Sequence, residues 1–273
     1  MIVVFPYSLF IINSQAMFNK KTLGNGLRII TAPMQGTNTV TVLLLCATGS
    51  DYESKELGGI SHFLEHLFFK GTERRPTPVA ISQELDGMGA VYNAFTSHEY
   101  TGYYVKAGKS HFDRATDILT DIYRNSLLDA GEIEKEKQVI VEELKRDRDT
   151  PTQFVWWVWE RLLYGDQPAG WDVIGEEKTI RSFSRNDFTE YFAHQYVAAN
   201  TAVVIAGNVD EIAAIKRIED CFRDIRHSRP IRRSQTMAYE DLKSTIETAF
   251  ETVKDISPTT QGAVREAVEE TLL

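Results

Sequence analysis

The stretch GGISHFLEHLFFKGT, residues 59–73, sets His62, Glu65 and His66 in the order HxxEH. On a helix, imidazoles at i and i+4 stand one turn apart and can reach a single tetrahedral ion. A carboxylate at i+3 lies between them, close enough to hold a water beside that ion. The order inverts the HExxH pattern of zinc-binding helices. With a turn of about 100° per residue, Ile60, Phe63, Leu64, Leu67 and Phe68 fall on the opposite side. The helix therefore docks by its apolar side and presents the polar trio together. The plain alternative is the wet face of an amphipathic helix, and a third ligand decides between the two.

A catalytic tetrahedral ion takes three protein ligands and leaves one position open, and a carboxylate completes a two-histidine set well. The segment AGEIEKEKQVIVEELKRDRD supplies candidates. Its seam runs Ile133, Glu136, Ile140, Glu143, which puts two carboxylates where a core-facing helix usually carries Leu or Val. Burying them unpaired is costly, so a partner is implied. Glu143 is assigned as the ligand and Glu136 as the acid that orients the site from behind. Glu142 is the rival ligand, about a quarter turn off the seam. The bland reading pairs both seam glutamates with Lys135, Lys137 or arginines on a solvated helix.

These helices need a scaffold. FNKKTLGNGLRIITAP reads as a hairpin turning at Asn25 and Gly26, and NTVTVLLLCATG as a central strand of a covered sheet. Helical signals run from Leu57, and again over 77–86 up to Gly87 and Gly89. AVYNAFTSHEYTGYYVKAG alternates like two strands. A long helical region follows from Ser110 to about Tyr164, broken near 128–131 and at Pro151. Ser184 and Asp187 form a capping arrangement for a helix ending near Tyr196. TAVVIAGNV is a buried strand, and Asp210 caps a helix running to Ile225. The expected class is α+β: a largely antiparallel sheet covered by helices, with a C-terminal helical appendage.

The 273 residues carry a net charge of −9, which argues against nucleic acid as a partner. The basic run RHSRPIRR at 226–233 reads as a solvated linker. Two cysteines, Cys46 and Cys221, make no disulfide framework, so a reducing, cytoplasmic setting is expected. The apolar N-terminus lacks a basic leader and is interrupted by Pro6, so neither a signal peptide nor a membrane span is expected. Met17 opens onto structured sequence, which makes residues 1–17 an N-terminal extension.

Five blocks then resemble the pitrilysin-like zinc metallopeptidases, an M16-type group that includes insulin-degrading enzymes and mitochondrial processing peptidases. They are LGNGLRII, GGISHFLEHLFFKGT, NAFTSHEYTGYY, EKEKQVIVEEL and AVVIAGNV, in the family's order over residues 18–225. The resemblance implies a catalytic domain with one Zn2+ per chain, held by His62, His66 and Glu143. It implies Glu65 as the general base that takes a proton from the attacking water, with Glu136 assisting. Asn93, Ala94, Phe95 and Thr96 would form an edge strand to which an extended peptide adds by backbone pairing. The expected activity is an endopeptidase acting on unfolded or presequence-like peptides. It would work with a second homologous domain or subunit; the alternative is a non-catalytic peptide-binding or assembly subunit.

After residue 225 nothing is expected to resemble that second half. Residues 226–236 read as a linker, and 237–273 as a helical tail resembling the start of a tetrahydrodipicolinate N-succinyltransferase. His98, His111, His194 and His227 have no ligand spacing and read as ordinary surface or interface histidines. FVWWVW at 154–159 reads as core or interface material, and Arg74 and Arg75 as solvated.

Overall fold

The computed structural model describes residues 2–5, 8–11 and 18–225. The expected linker 226–236, the helical tail 237–273 and His227 lie outside the described residues, as does most of the extension 1–17. Within that extension β1 (Ile2–Phe5) and β2 (Ser8–Ile11) pair antiparallel.

The main sheet has six strands in the order β3-β4-β8-β5-β7-β6. These are β3 (Asn19–Thr22), β4 (Arg28–Pro33), β5 (Thr39–Cys46), β6 (Val91–Thr96), β7 (Thr101–Gly108) and β8 (Thr201–Gly207). Every neighbour pair is antiparallel except β4 with β8. The β3–β4 hairpin turns where the sequence places it: Gly26 sits at φ 89°, a conformation glycine adopts without penalty. β5 is central, as read, but it buries only alternate residues. Val40, Val42, Leu44 and Cys46 point into the core, whereas Leu43 and Leu45 are half-buried. An all-apolar run reads as two covered faces; here the helices take one face and leave the other partly open.

The register decides which side chains share that face. Val42 opposes Val105 and Ile205, and Leu44 opposes Tyr103 and Val203. Against this face lie α1 (Ile60–Phe68) under β6 and β7, α3 (Phe112–Asn125) under β5 and β7, and α8 (Glu211–Cys221) under β4. The apolar side of α1 is buried as its periodicity predicts, with Ile60, Phe63, Leu64, Leu67 and Phe68 all in the core. Phe68 stacks on Tyr103, and Phe63 packs against Phe188, which anchors the helix to both sheet and α7.

Around these run α2 (Pro78–Asp86), α4 (Ala130–Arg148), α5 (Pro151–Tyr164), α6 (Glu177–Ser182) and α7 (Arg185–Gln195). Three features depart from the sequence reading. α8 ends at Cys221, because Phe222 leaves the helix and buries itself against Tyr123. α6 escapes periodicity because it is only six residues long, held by the reciprocal cap of Glu176 and Thr179. The FVWWVW run is not core: no residue of α5 is fully buried, and Trp156 and Trp159 are 62% and 50% exposed. α5 contacts α4 and the turn at 168–170, and only Trp157 of its tryptophans packs partly on the core.

Arg75 is also corrected. It is buried, pairing with Glu84, Asp117 and Asp121, whereas Arg74 is exposed and pairs with Asp117 as a surface residue does. Burial of Asp121 demands that guanidinium.

Candidate metal centre

The start of α1 is held unusually firmly. Gly59 takes φ 95°, and the Glu53 carboxylate accepts the amides of Gly59 and Ser61, each at 2.8 Å. The Ser61 hydroxyl bonds the Tyr191 hydroxyl, which bonds Thr48. A glycine-to-glycine contact closes the arrangement: a Cβ on Gly175 would stand 2.4 Å from the Gly58 carbonyl oxygen. The Thr179 hydroxyl donates to that same carbonyl at 2.8 Å.

From this fixed helix His62 and His66 project side by side, their ring centroids 4.8 Å apart. α4 crosses α1 so that its seam meets them. Glu143 Oε2 lies 3.4 Å from His66 Nε2 and 3.9 Å from His62 Nε2. Ligand atoms of His62, His66 and Glu143 all lie within 4.8 Å of one another. A tetrahedral ion with bonds of about 2.0–2.1 Å has edges of roughly 3.3 Å, so the donor types suit zinc and the three atoms would draw together around it. Glu142, the rival, is exposed and pairs with Gln138 and Lys145.

Glu136 lies behind the pair and is buried. Its Oε1 accepts from His66 Nδ1 at 2.9 Å, and its Oε2 lies 2.6 Å from the Lys70 ammonium. Glu65 accepts a hydrogen bond from the Thr96 hydroxyl at 2.5 Å. The edge strand β6 therefore splits its four predicted residues. Ala94 and Thr96 lie on the face toward α1, opposite Tyr103 and Thr101, while Asn93 and Phe95 alternate to the other face. Phe95 covers Gly102 from there, and Asn93 folds its side-chain carbonyl onto the Ala94 amide. Beside the site is a cleft of about 410 Å³ lined by Glu65, His66, Phe69, Val79, Tyr92 and Ala94, among others.

Burial dominates the electrostatics of the site. It pushes His62 down to about 3, helped by neighbouring His66 and opposed by Glu136, so this imidazole keeps its lone pair. Burial also depresses His66, but the Glu136 hydrogen bond and the surrounding carboxylates outweigh it and raise the group. Glu65 is raised by burial against the Thr96 hydrogen bond and the charge of His66.

Glu53, Lys70, the bond from Thr96 and Tyr191 were not anticipated. Lys70 could have been found as the i+4 neighbour of His66. Glu53 could not, since a short 3-10 turn separates it from the helix it caps. His98 is half-buried rather than free: its Nδ1 lies 2.6 Å from Ser50 Oγ and its Nε2 3.3 Å from Glu160.

Comparison with known proteins places the chain in a family. The family profile described as "Insulinase (Peptidase family M16)" matches residues 28–168, spanning every block from β4 to α5. The chain belongs to the M16 peptidase family. A second profile, "Peptidase M16 inactive domain", matches residues 182–264. It crosses the boundary expected at residue 225 and takes in most of the tail. The resemblance of that tail to an N-succinyltransferase is therefore not supported, nor is the expectation that M16 likeness stops at 225. An uncharacterized zinc protease of Rickettsia felis is 38% identical over 77% of this chain and 50% of its own length. The mitochondrial-processing peptidase subunit beta of Dictyostelium discoideum is 32% identical over 76% of this chain and 44% of its own. The chain spans about half the length of the curated relatives it matches. Among solved structures, a protease from Helicobacter pylori superposes with a TM-score of 0.73 at 24% identity, covering 81% of this chain and 53% of that one. The periplasmic protease PqqL from Escherichia coli gives 0.75 at 22%, covering 84% and 26%. Both support the α+β fold. No described helix is long and apolar enough to cross a membrane.

Proposed function

We propose that this M16 chain is the zinc-binding part of a metalloendopeptidase that hydrolyses peptide bonds in extended, unfolded or presequence-like segments. The observation that carries this reading is the meeting of α1 and α4, which brings Glu143 to 3.4 Å from His66 across 77 residues of sequence. His62, His66 and Glu143 are the residues that would hold one Zn2+. Bound there, the ion supplies Lewis acidity that eases proton loss from water and polarises a carbonyl. Glu65 moves the proton: its carboxylate accepts from the attacking water and delivers to the leaving nitrogen. Glu136 orients His66 through Nδ1. A substrate strand adds along β6, the outer strand at the end of the sheet near α1, within reach of Glu65.

The share of each relative that this chain covers supports a need for a second homologous domain or subunit. The match to the inactive-domain profile favours a second reading, a peptide-binding or assembly subunit that keeps the metal site without turnover.

The test is metal content by elemental analysis joined to cleavage of a quenched peptide, alone and with a candidate partner half. His62→Ala and His66→Ala should lose stoichiometric zinc. Glu65→Gln should keep zinc and lose about 10²–10⁴-fold in hydrolysis. Equal loss of zinc in all three variants contradicts these roles, and zinc without cleavage in every pairing favours the subunit reading.

A further inference from the structure

Lys70 follows α1 directly and sits four residues after His66. A lysine there would ordinarily serve the negative end of the helix dipole. Its ammonium instead reaches across to α4, 2.6 Å from Glu136 Oε2, while Oε1 of the same carboxylate takes His66 Nδ1. Glu136 is only 3% exposed, whereas Lys70 keeps about a quarter of its side chain in solvent. The three groups form a relay from the cleft wall to the imidazole.

The physical need for that cation follows from the other two members. A buried carboxylate requires a countercharge. His66 cannot provide it while acting as a metal ligand, because a ligating imidazole is neutral and offers Glu136 only a hydrogen bond. Glu143 is itself an acid, and the cations of α4 are engaged elsewhere: Lys135 pairs with Glu132, Lys137 with Glu134, and Arg146 faces Glu143 at 3.6 Å. Among the described residues, the lysine or arginine that touches Glu136 is therefore Lys70. Glu136 meets the ring at Nδ1, which leaves Nε2 turned toward Glu143 at 3.4 Å.

We propose that Lys70 is a positioning residue: its ammonium pins Glu136 at Oε2, so that Oε1 holds the His66 ring by Nδ1 with Nε2 turned toward Glu143. This rests on the reading of His66 as a zinc ligand. The experiment is zinc affinity by chelator competition on the full chain, for Lys70→Met, Glu136→Gln, the double variant and Lys70→Arg, with far-UV circular dichroism of each metal-free protein. Lys70→Met and Glu136→Gln should each weaken zinc by about 10–100-fold. The double variant should be no weaker than the poorer single, and Lys70→Arg should recover most of the loss. A merely structural lysine would give additive losses. Unchanged affinity in Lys70→Met, or additivity in the double variant, overturns the proposal. If Lys70→Met does not fold, Lys70→Gln takes its place in the same cycle with the same outcomes. If His66→Ala keeps stoichiometric zinc, the ligand reading itself has failed; if His66→Ala loses zinc while Lys70→Met does not, only the role of Lys70 has.

Discussion

Thr96 illustrates how a single side chain changes meaning once its neighbours are known. Sequence places it in a peptide-pairing strand, but its hydroxyl points at the Glu65 carboxylate. Thr96→Val keeps the shape and removes the donor. On the proposed chemistry kcat should fall roughly tenfold, the worth of one hydrogen bond to a charged group, with KM and zinc affinity unchanged. Steady-state kinetics decides: a rise in KM at constant kcat would return Thr96 to substrate binding. Glu53 makes a pH prediction. Burial raises it to about 7 against the pull of the Ser61 and Gly59 amides, above an ordinary carboxyl at about 4.5. A raised acid binds its proton more tightly when folded, so its stabilising contribution is complete below pH 4.5 and is lost as pH rises through about 7. Denaturant unfolding at pH 5 and pH 8 should therefore show the wild type losing up to about 3 kcal/mol relative to Glu53→Gln, which cannot titrate. Parallel pH dependences for the two proteins would contradict it.

At the scale of elements, the site depends on α1 being placed from its N-terminus. The loop carrying Gly175 rests backbone to backbone on Gly58 and Gly59, and Gly175 itself sits at φ 82°. Gly175→Ala adds a methyl where a carbonyl oxygen already stands, in a backbone conformation that alanine resists. Urea unfolding should register a loss of at least about 2 kcal/mol, and zinc affinity should fall with it as α1 shifts. The control is Gly36→Ala, in an exposed turn with nothing near the added methyl, which should stay within about 0.5 kcal/mol. Arg75 plays a similar part below α1, tying the loop after the helix to α3 through Asp121 and Asp117.

Across the whole molecule, the proposed ion joins α1 to α4, elements far apart in the chain, and so should act as a fold ligand. At a free zinc concentration about 100 times the dissociation constant, linkage gives about 2.7 kcal/mol. For a chain of this size that is a rise in Tm of about 5–10 °C on adding zinc, reversed by a chelator. Glu65→Gln should show the same rise and His66→Ala none, which scanning calorimetry can read without any substrate. Outside this core the exposed tryptophans of α5 show that a helix can carry aromatic residues without burying them. Periodicity reports which side of a helix is apolar, not whether another element covers it.

Local pattern alone determined much of this protein. The β3–β4 turn at Asn25-Gly26, the buried stripe of α1, the caps at Ser184 and Asp210, and the two carboxylates on the α4 seam all follow from interactions between residues a few positions apart. The tertiary structure decided everything that depends on separated segments meeting. It put Glu143 rather than Glu142 at the histidines, set Lys70 and Thr96 against the two acids, buried Arg75 and left α5 bare. The reason is physical: periodicity and capping are short-range constraints carried by the chain itself, whereas charge pairing and burial depend on which surface arrives opposite, and that is known only when the sheet register and helix crossings are in place.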